Sequence, residues 1–107
     1  MTERPQARPT CLADSDGHRI TRFDFAAGAE TGWHVHEFDY VIVALSDCRM
    51  TLEQSGGKTD TVTLPAGRSY HRPAGVTHNV VNGGTAPMAF VEIEFRQGLD
   101  LDALDRG

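Results

Sequence analysis

With 107 residues, the chain is long enough for one domain with a modest core. Hydrophobic residues make up 39% and charged residues 23%, as in folded globular proteins, and the net charge of −5 argues against a nucleic-acid partner because phosphate backbones are also negative. The longest apolar run, residues 41–45, is far shorter than the roughly 20 residues that span a bilayer, so we expect no membrane partner.

The N-terminal stretch, residues 1–9, is polar and lacks the apolar segment of a secretion signal. The two cysteines, Cys11 and Cys48, are fewer than small secreted scaffolds carry, so we predict a cytoplasmic protein with reduced thiols. We divide the chain into a flexible tail at 1–9, one domain at 10–97 and a C-terminal tail at 98–107. In that last tail, leucines lie among aspartates and indicate one or two helical turns at most.

Short segments rich in β-branched and aromatic residues recur between glycines and prolines. Such spacing predicts an all-β sandwich or a small β-barrel. A glycine-rich stretch at residues 55–58 predicts a hairpin turn between two of the segments. The predicted strands are Arg19–Ala26, Tyr40–Ala44, Arg49–Glu53, Thr59–Leu64, His78–Val81 and Pro87–Phe95.

The last of these segments alternates with a period of two. Glu92 and Glu94 share one face of the predicted strand. The other face carries only apolar side chains, namely Ala89, Val91, Ile93 and Phe95. Such alternation is typical of a β-strand.

Two of the five histidines lie two positions apart, at His34 and His36. On a strand, such residues point to the same face and can share one ion. Neutral imidazole is the commonest protein ligand for zinc, iron, nickel and copper. The pair alone is weak evidence, because an exposed strand can carry it by chance.

A second segment strengthens the case. It has a glycine, five residues, Pro-x-Gly, two residues, a histidine, three residues and an asparagine. A Pro-x-Gly turn aims the strand that follows it, so the histidine can point inward early on that strand. The asparagine falls at the next turn, where its amide can bond backbone groups. The matching residues are Gly67, Pro73, Gly75, His78 and Asn82.

This segment resembles the second motif of the cupin superfamily, and part of the first motif is also present. Gly28, His34 and His36 fit the first motif's glycine and His-x-His, but its glutamate falls on Tyr40 or Val41. The motif's final glycine is also missing. The chain is therefore similar to a small single-domain cupin from about Ala27 to Phe95, with the second motif intact and the first partial.

The resemblance implies a jelly-roll β-barrel with His34, His36 and His78 as ligands of one divalent metal ion, for which Fe, Ni, Zn, Mn or Cu are candidates. Without the motif's glutamate, the ion would keep most of its charge and two or three open positions. Such a site favours an anionic or chelating small molecule that supplies oxygen donors. Within the cupins, three-histidine iron sites occur in cysteine dioxygenase and in acetylacetone dioxygenase.

Tyr40 takes the place of the missing glutamate, and three interpretations remain open. It could be a core aromatic, a catalytic cavity residue that hydrogen-bonds a ligand on the metal, or a phenolate ligand. Its strand parity points it inward. Glu37 and Asp39 have the opposite parity and are expected to be exposed, although a bulge could return either carboxylate to the site.

The other candidates are weaker. His71 and Arg72 precede the Pro-x-Gly turn, and either could enter the cavity, Arg72 to pair with an anionic substrate. Trp33 is adjacent to a candidate ligand and should face the opposite side. His18 follows a turn and should be solvated.

These observations favour a metal-dependent enzyme of the dioxygenase, isomerase or lyase type that acts on a small anionic or oxygen-rich organic molecule. The alternatives are a non-catalytic barrel that binds or senses a small molecule or metal, and a structural barrel without a working site. The fold cannot decide among them. Because a small barrel exposes its edge strands, we also expect a homodimer, to which residues 10–13 could contribute an edge strand.

Overall fold

A computed structural model describes residues 3–97 of the chain. The regular structure of this part consists of nine β-strands and one 3₁₀ turn at Ser55–Gly57. The strands are β1 Arg8–Asp14, β2 His18–Phe25, β3 His34–Val35, β4 Asp39–Ala44, β5 Cys48–Gln54, β6 Thr59–Leu64, β7 Ser69–Arg72, β8 Thr77–Asn82 and β9 Met88–Phe95.

The strands form two antiparallel sheets. One has five strands in the order β1-β2-β9-β4-β7, and the other has four in the order β3-β8-β5-β6. The predicted all-β jelly roll is confirmed. Within residues 3–97 the ladders make two separate sheets and do not join into one closed ring, so the barrel is a two-sheet sandwich.

Each of the six predicted strands matches an observed strand to within one residue at either end. Three further strands, β1, β3 and β7, are absent from the list of predicted strands. β3 has two residues and β7 has four, and β1 is almost wholly exposed and contains a proline, so none of them shows the alternation of a half-buried strand. The segment at 10–13 lies in β1, on one edge of the five-stranded sheet. The predicted C-terminal helical turn lies outside the described residues, and the three-part division of the chain, the homodimer and the cytoplasmic location stay predictions.

Residues paired directly across the five-stranded sheet fall on one face, and this register sets the interior. The row through Phe23, Phe90 and Ala44 packs into the core, and rings of Phe23 and Phe90 lie 5.6 Å apart between centroids. The next two rows carry Thr21, Glu92 and Ile42, then Arg19, Glu94 and Tyr40. One end of the sandwich is therefore packed with apolar side chains, and the other presents polar groups to a cavity.

The Pro-x-Gly turn aims β8 as expected. Gly75 has a φ of +103°, which an L side chain rarely adopts, and its N–H donates to the carbonyl of His36 at 2.8 Å. The N–H of His36 in turn donates to the carbonyl of Val76 at 2.8 Å. The turn thereby fixes the backbone of the first histidine pair against the start of β8. Among the described residues, no helix is long and apolar enough to cross a membrane.

Candidate metal centre

The three predicted histidines meet in space. His34 on β3 pairs directly with His78 on β8, and His36 follows β3 by one residue. The Nε2 atom of His36 lies 3.1 Å from that of His34 and 3.0 Å from that of His78. Their candidate ligand nitrogens all lie within 4.8 Å of one another, and no other group of metal-ligating side chains this size occurs within residues 3–97.

These nitrogens fit a transition-metal ion. Imidazole nitrogens about 2.1 Å from one ion and roughly at right angles lie about 3.0 Å apart. Burial, together with the neighbouring imidazoles, lowers the pKa of His36 to about 3 and that of His78 to about 4. Both rings are therefore neutral at physiological pH, which is the protonation state that binds metals.

His34 is oriented by the backbone of the loop before it. Its Nδ1 lies 2.9 Å from the carbonyl of Gly32 and 3.3 Å from the hydroxyl of Thr31. A proton on Nδ1 that is donated to this carbonyl leaves the Nε2 lone pair facing the other histidines. Gly32 has a φ of +90°, and its N–H donates to the side-chain oxygen of Asn79 at 3.0 Å.

Tyr40, which stands in the position of the motif's glutamate, is fully buried beside His36. The two rings stack with centroids 3.7 Å apart and an interplanar angle of 15°. Tyr40 also lines the cavity. Burial raises the pKa of Tyr40 far above its usual range, which favours the neutral phenol over the phenolate. The geometry thus combines two of the three interpretations, a core aromatic and a cavity wall.

A carboxyl group reaches the cluster from a strand that motif comparison does not consider. Glu92 on β9 is buried, and its Oε1 lies 3.7 Å from the Nδ1 of His36. Burial and the neighbouring Glu94 raise the pKa of Glu92 to about 8. The expected site without a nearby carboxylate is therefore corrected: the carboxyl group is present, beside a histidine instead of in the glutamate's position.

Sequence reasoning missed Glu92 because alternation alone does not say which face of a strand points inward. The two glutamates of β9 look like a solvent-facing row, yet both line the cavity. The sequence offered one signal: the two glutamates interrupt a strand whose other residues are all apolar, so either face of that strand could point inward. The register that pairs Glu92 with Ile42 and Thr21 decides the direction, and it is a tertiary property.

The three histidines form one wall of a cavity of about 320 Å³, which is at the small end for a ligand site. Aromatic rings and aliphatic side chains make up much of the remaining wall, with carboxyl groups among them. The lining residues are Phe23, Thr31, His34, Val35, His36, Glu37, Tyr40, Ile42, Tyr70, His78, Val80, Phe90, Glu92 and Glu94.

The remaining candidates occupy different places. Glu37 is exposed at the cavity rim, and Asp39 is half-buried and accepts the N–H of Ala74 at 2.8 Å. His71 pairs with Val41 across the sheet and does not line the cavity. Arg72 lies over the ring of Tyr70, 5.0 Å from its centroid.

Arg72 also borders a second opening, which shares Tyr40, Tyr70 and His78 with the cavity beside the histidines. Of the two residues before the Pro-x-Gly turn, Arg72 is therefore the one near the site. Trp33 is 57% exposed and lies on the other side of the chain from its neighbour His34, as expected. His18 contacts Ser15 in its turn.

Residues 21–94 match the model of the cupin domain family, Cupin_2. The chain belongs to the cupin family. It is 45% identical to the beta-alanine degradation protein BauB of Pseudomonas aeruginosa over 96 residues, which cover 90% of this cupin and 100% of that protein. The family predicted from the two motifs is thereby confirmed.

Solved structures agree with the fold. A cupin domain from Bordetella pertussis Tohama I has a TM-score of 0.84 and 42% identity, covering 89% of this cupin and 98% of that chain. The polyketide cyclase RemF of Streptomyces resistomycificus has a TM-score of 0.65 and 24% identity, over 89% of this cupin and 70% of that chain. At that identity, RemF shares the fold alone.

Proposed function

We propose that this cupin is a metal-dependent enzyme that acts on a small anionic or oxygen-rich organic molecule, with one divalent ion held by His34, His36 and His78. The observation that carries the proposal is the convergence of three imidazole Nε2 atoms on one wall of the cavity. Three neutral nitrogen donors suit Fe, Ni, Zn, Mn or Cu. When bound, such an ion polarises a coordinated oxygen or lowers the pKa of coordinated water.

The chain's own side chains would bind and orient the molecule. A cavity of about 320 Å³ admits a molecule of a few carbon atoms. The rings of Phe23, Phe90 and Tyr70 supply apolar contact. Tyr40 is the proposed catalytic hydrogen-bond donor, because a neutral phenol held against His36 can donate to an oxygen beside the histidines.

The substrate class is proposed from the donor set. Three histidines leave positions that oxygen donors of the substrate would take, which favours carboxylates, diketones and similar chelating groups. The Pseudomonas relative is named for the degradation of beta-alanine, a short molecule that carries a carboxylate. Beta-alanine and short carboxylates of similar size therefore belong among the first compounds to test.

Elemental analysis of the purified protein after growth with each metal tests the site. We expect about one ion per chain in the wild type and a large loss in His34→Ala. His71→Ala, which changes a histidine outside the cavity, is the matched control and should retain the ion. Less than about 0.1 ion per chain in the supplemented wild type would contradict the proposal.

Catalysis is tested separately from binding. Oxygen uptake and substrate loss are measured with the iron-loaded protein and a panel of thiols, diketones, beta-alanine and short carboxylates, with the other metals assayed for substrate loss alone. Turnover that disappears in Tyr40→Phe supports the proposed role of the phenol. A metal-loaded protein that binds members of the panel and converts none would contradict the enzymatic part and identify a binding barrel.

A further inference from the structure

His36 is fixed both at its backbone and at its ring. Its N–H donates a hydrogen bond to the carbonyl of Val76, and its carbonyl accepts one from the N–H of Gly75. Its ring stacks on that of Tyr40. Its Nε2 faces the two other histidines. The remaining polar atom of the ring, Nδ1, faces the Oε1 of Glu92 at 3.7 Å.

We propose that Glu92 is a positioning residue that accepts the Nδ1 proton of His36 and so directs its Nε2 lone pair toward the metal. The inference rests on the proposed metal site. It assigns a role to a carboxyl group that lies outside both sequence motifs and comes from the opposite sheet. His34 has the corresponding support from a backbone carbonyl, that of Gly32 at 2.9 Å.

The register explains why Glu92 is available. β9 lies between β2 and β4, so a side chain on its inner face cannot turn to solvent without leaving the sheet. Glu92 is only 9% exposed. The Glu92 Oε1 and the His36 Nδ1 are 3.7 Å apart, and an approach of less than about 1 Å brings them to hydrogen-bond distance.

A contact between Glu92 and His36 would raise the affinity of the protein for its metal ion. A carboxylate that accepts the Nδ1–H of a metal-bound histidine fixes the tautomer and makes Nε2 a stronger donor, and loss of such a partner costs about 10-fold to 100-fold in metal affinity. A buried carboxyl group is also costly for the chain alone, whereas a nearby cation offsets that cost. If Glu92 served only to stabilise the fold, replacing it would lower the stability of the metal-free chain and would not specifically lower the affinity for metal.

The experiment compares the affinities of the wild type, Glu92→Leu and Glu92→Gln for Zn²⁺ and Co²⁺ by competition with a chelator. Glu37→Gln, which removes a carboxyl group at the rim of the same cavity, is the control for long-range charge. We expect about a 10-fold to 100-fold loss in Glu92→Leu, a smaller loss in Glu92→Gln and less than a threefold change in Glu37→Gln.

Two readouts separate positioning from folding. The melting temperature of metal-free Glu92→Leu should equal or exceed that of the wild type, so a loss of affinity would not reflect a damaged fold. Nitrogen-15 NMR of the metal-free proteins, recorded at about pH 9 so that the Glu92 carboxyl is ionised, should show the His36 proton on Nδ1 in the wild type and a redistribution toward Nε2 in Glu92→Leu.

The inference is overturned if Glu92→Leu binds either ion within threefold of the wild type, or if Glu37→Gln loses as much affinity as Glu92→Gln. An unchanged His36 tautomer in Glu92→Leu would also overturn it. Failure of the proposed function looks different: the wild type itself would bind neither ion, while the NMR comparison would still report on the contact between Glu92 and His36.

Discussion

Adjacent residues of β8 serve two clusters of opposite character. His78 points into the sandwich and belongs to the inner cluster, formed by His34, His36, His78 and Glu92. Asn79 points outward and belongs to the outer cluster, formed by Arg4, Glu30, Glu53 and Asn79. The two clusters differ in the sign of the pKa shifts of their carboxyl groups.

In the outer cluster the carboxylates have donors. The Asn79 amide donates to Glu30 and to Glu53 at 2.8 Å each, and Arg4 bridges the same two groups at 3.1 and 2.8 Å. The hydrogen bond from Asn79 is the main cause of the lowered pKa of Glu30, and that from Arg4 is the main cause for Glu53.

In the inner cluster, burial outweighs everything else, raising the pKa of Glu92 and lowering those of His36 and His78. The outer cluster contains its own cation, whereas the groups in contact in the inner cluster are imidazoles and a carboxyl. The paired charges of the outer cluster therefore suit stability, whereas the neutral imidazole nitrogens of the inner cluster suit the binding of a metal cation. The two clusters are joined through Gly32, whose N–H donates to Asn79 and whose carbonyl faces the Nδ1 of His34.

The largest expected effect is that of metal on stability. An ion that binds only the folded chain adds about 4 kcal/mol to the free energy of unfolding when the free ion is about 1,000 times its dissociation constant. The measurement is chemical denaturation with and without Zn²⁺. In His78→Ala the stabilisation by Zn²⁺ should vanish. An equal stabilisation in that variant would show that the inner cluster does not bind the ion.

The second effect is loss of the amide in the outer cluster. Asn79→Ala leaves the Gly32 N–H and two carboxylates without their buried partner, so we expect a loss of about 2 kcal/mol in the free energy of unfolding. Thr77→Ala, an exposed position on the same strand, should change it by less than about 0.5 kcal/mol. Equal costs at the two positions would show that the outer cluster does not contribute to stability.

The third effect concerns the salt bridges of Arg4, which is partly exposed, so Arg4→Ala should cost less than about 1 kcal/mol. Arg22→Ala is a matched control, because Arg22 has a similar exposure and pairs with Asp24 two residues along its strand. We expect a larger cost for Arg4 because it contacts two carboxylates from distant parts of the chain. Thermal melts of the two variants in parallel give the comparison.

The sequence predicts the inner cluster far better than the outer one. His34, His36 and His78 lie in motifs with fixed spacing, so the family and the candidate ligands can be recognised from the order of residues alone. Runs of β-branched and aromatic residues between turn residues likewise predict six of the nine strands that residues 3–97 form. Glu92 and the outer cluster depend on which residues meet across sheets, and local pattern contains no information on that register.

A strand can also be too short to be predicted from its sequence. β3 has only two residues, which is too short for any alternation, although it carries His34. Its position is determined by pairing with β8 and by the Gly75 turn. The motif therefore identifies the candidate ligand, while the strand that holds it could not be predicted.

The smallest effect is the pH dependence of the Arg4 contribution. The folded-state pKa values of Glu30 and Glu53 lie below 4.5, their ordinary value, so the unfolded chain binds more protons as the pH falls past that point. Stability from these carboxylates is fully present above about pH 4.5 and is lost as the pH falls through their folded-state pKa values.

The difference in unfolding free energy between the wild type and Arg4→Ala should therefore be constant from about pH 5 to 7 and shrink toward pH 3. The lowered pKa values of His36 and His78 also make the folded state less stable as the pH falls below 6.5, but both proteins share that loss and it cancels in the difference. Urea denaturation of the two metal-free proteins across this range measures it. A difference that stays constant down to pH 3 would mean that Arg4 stabilises the fold through packing of its side chain and not through the two carboxylates, because packing does not titrate.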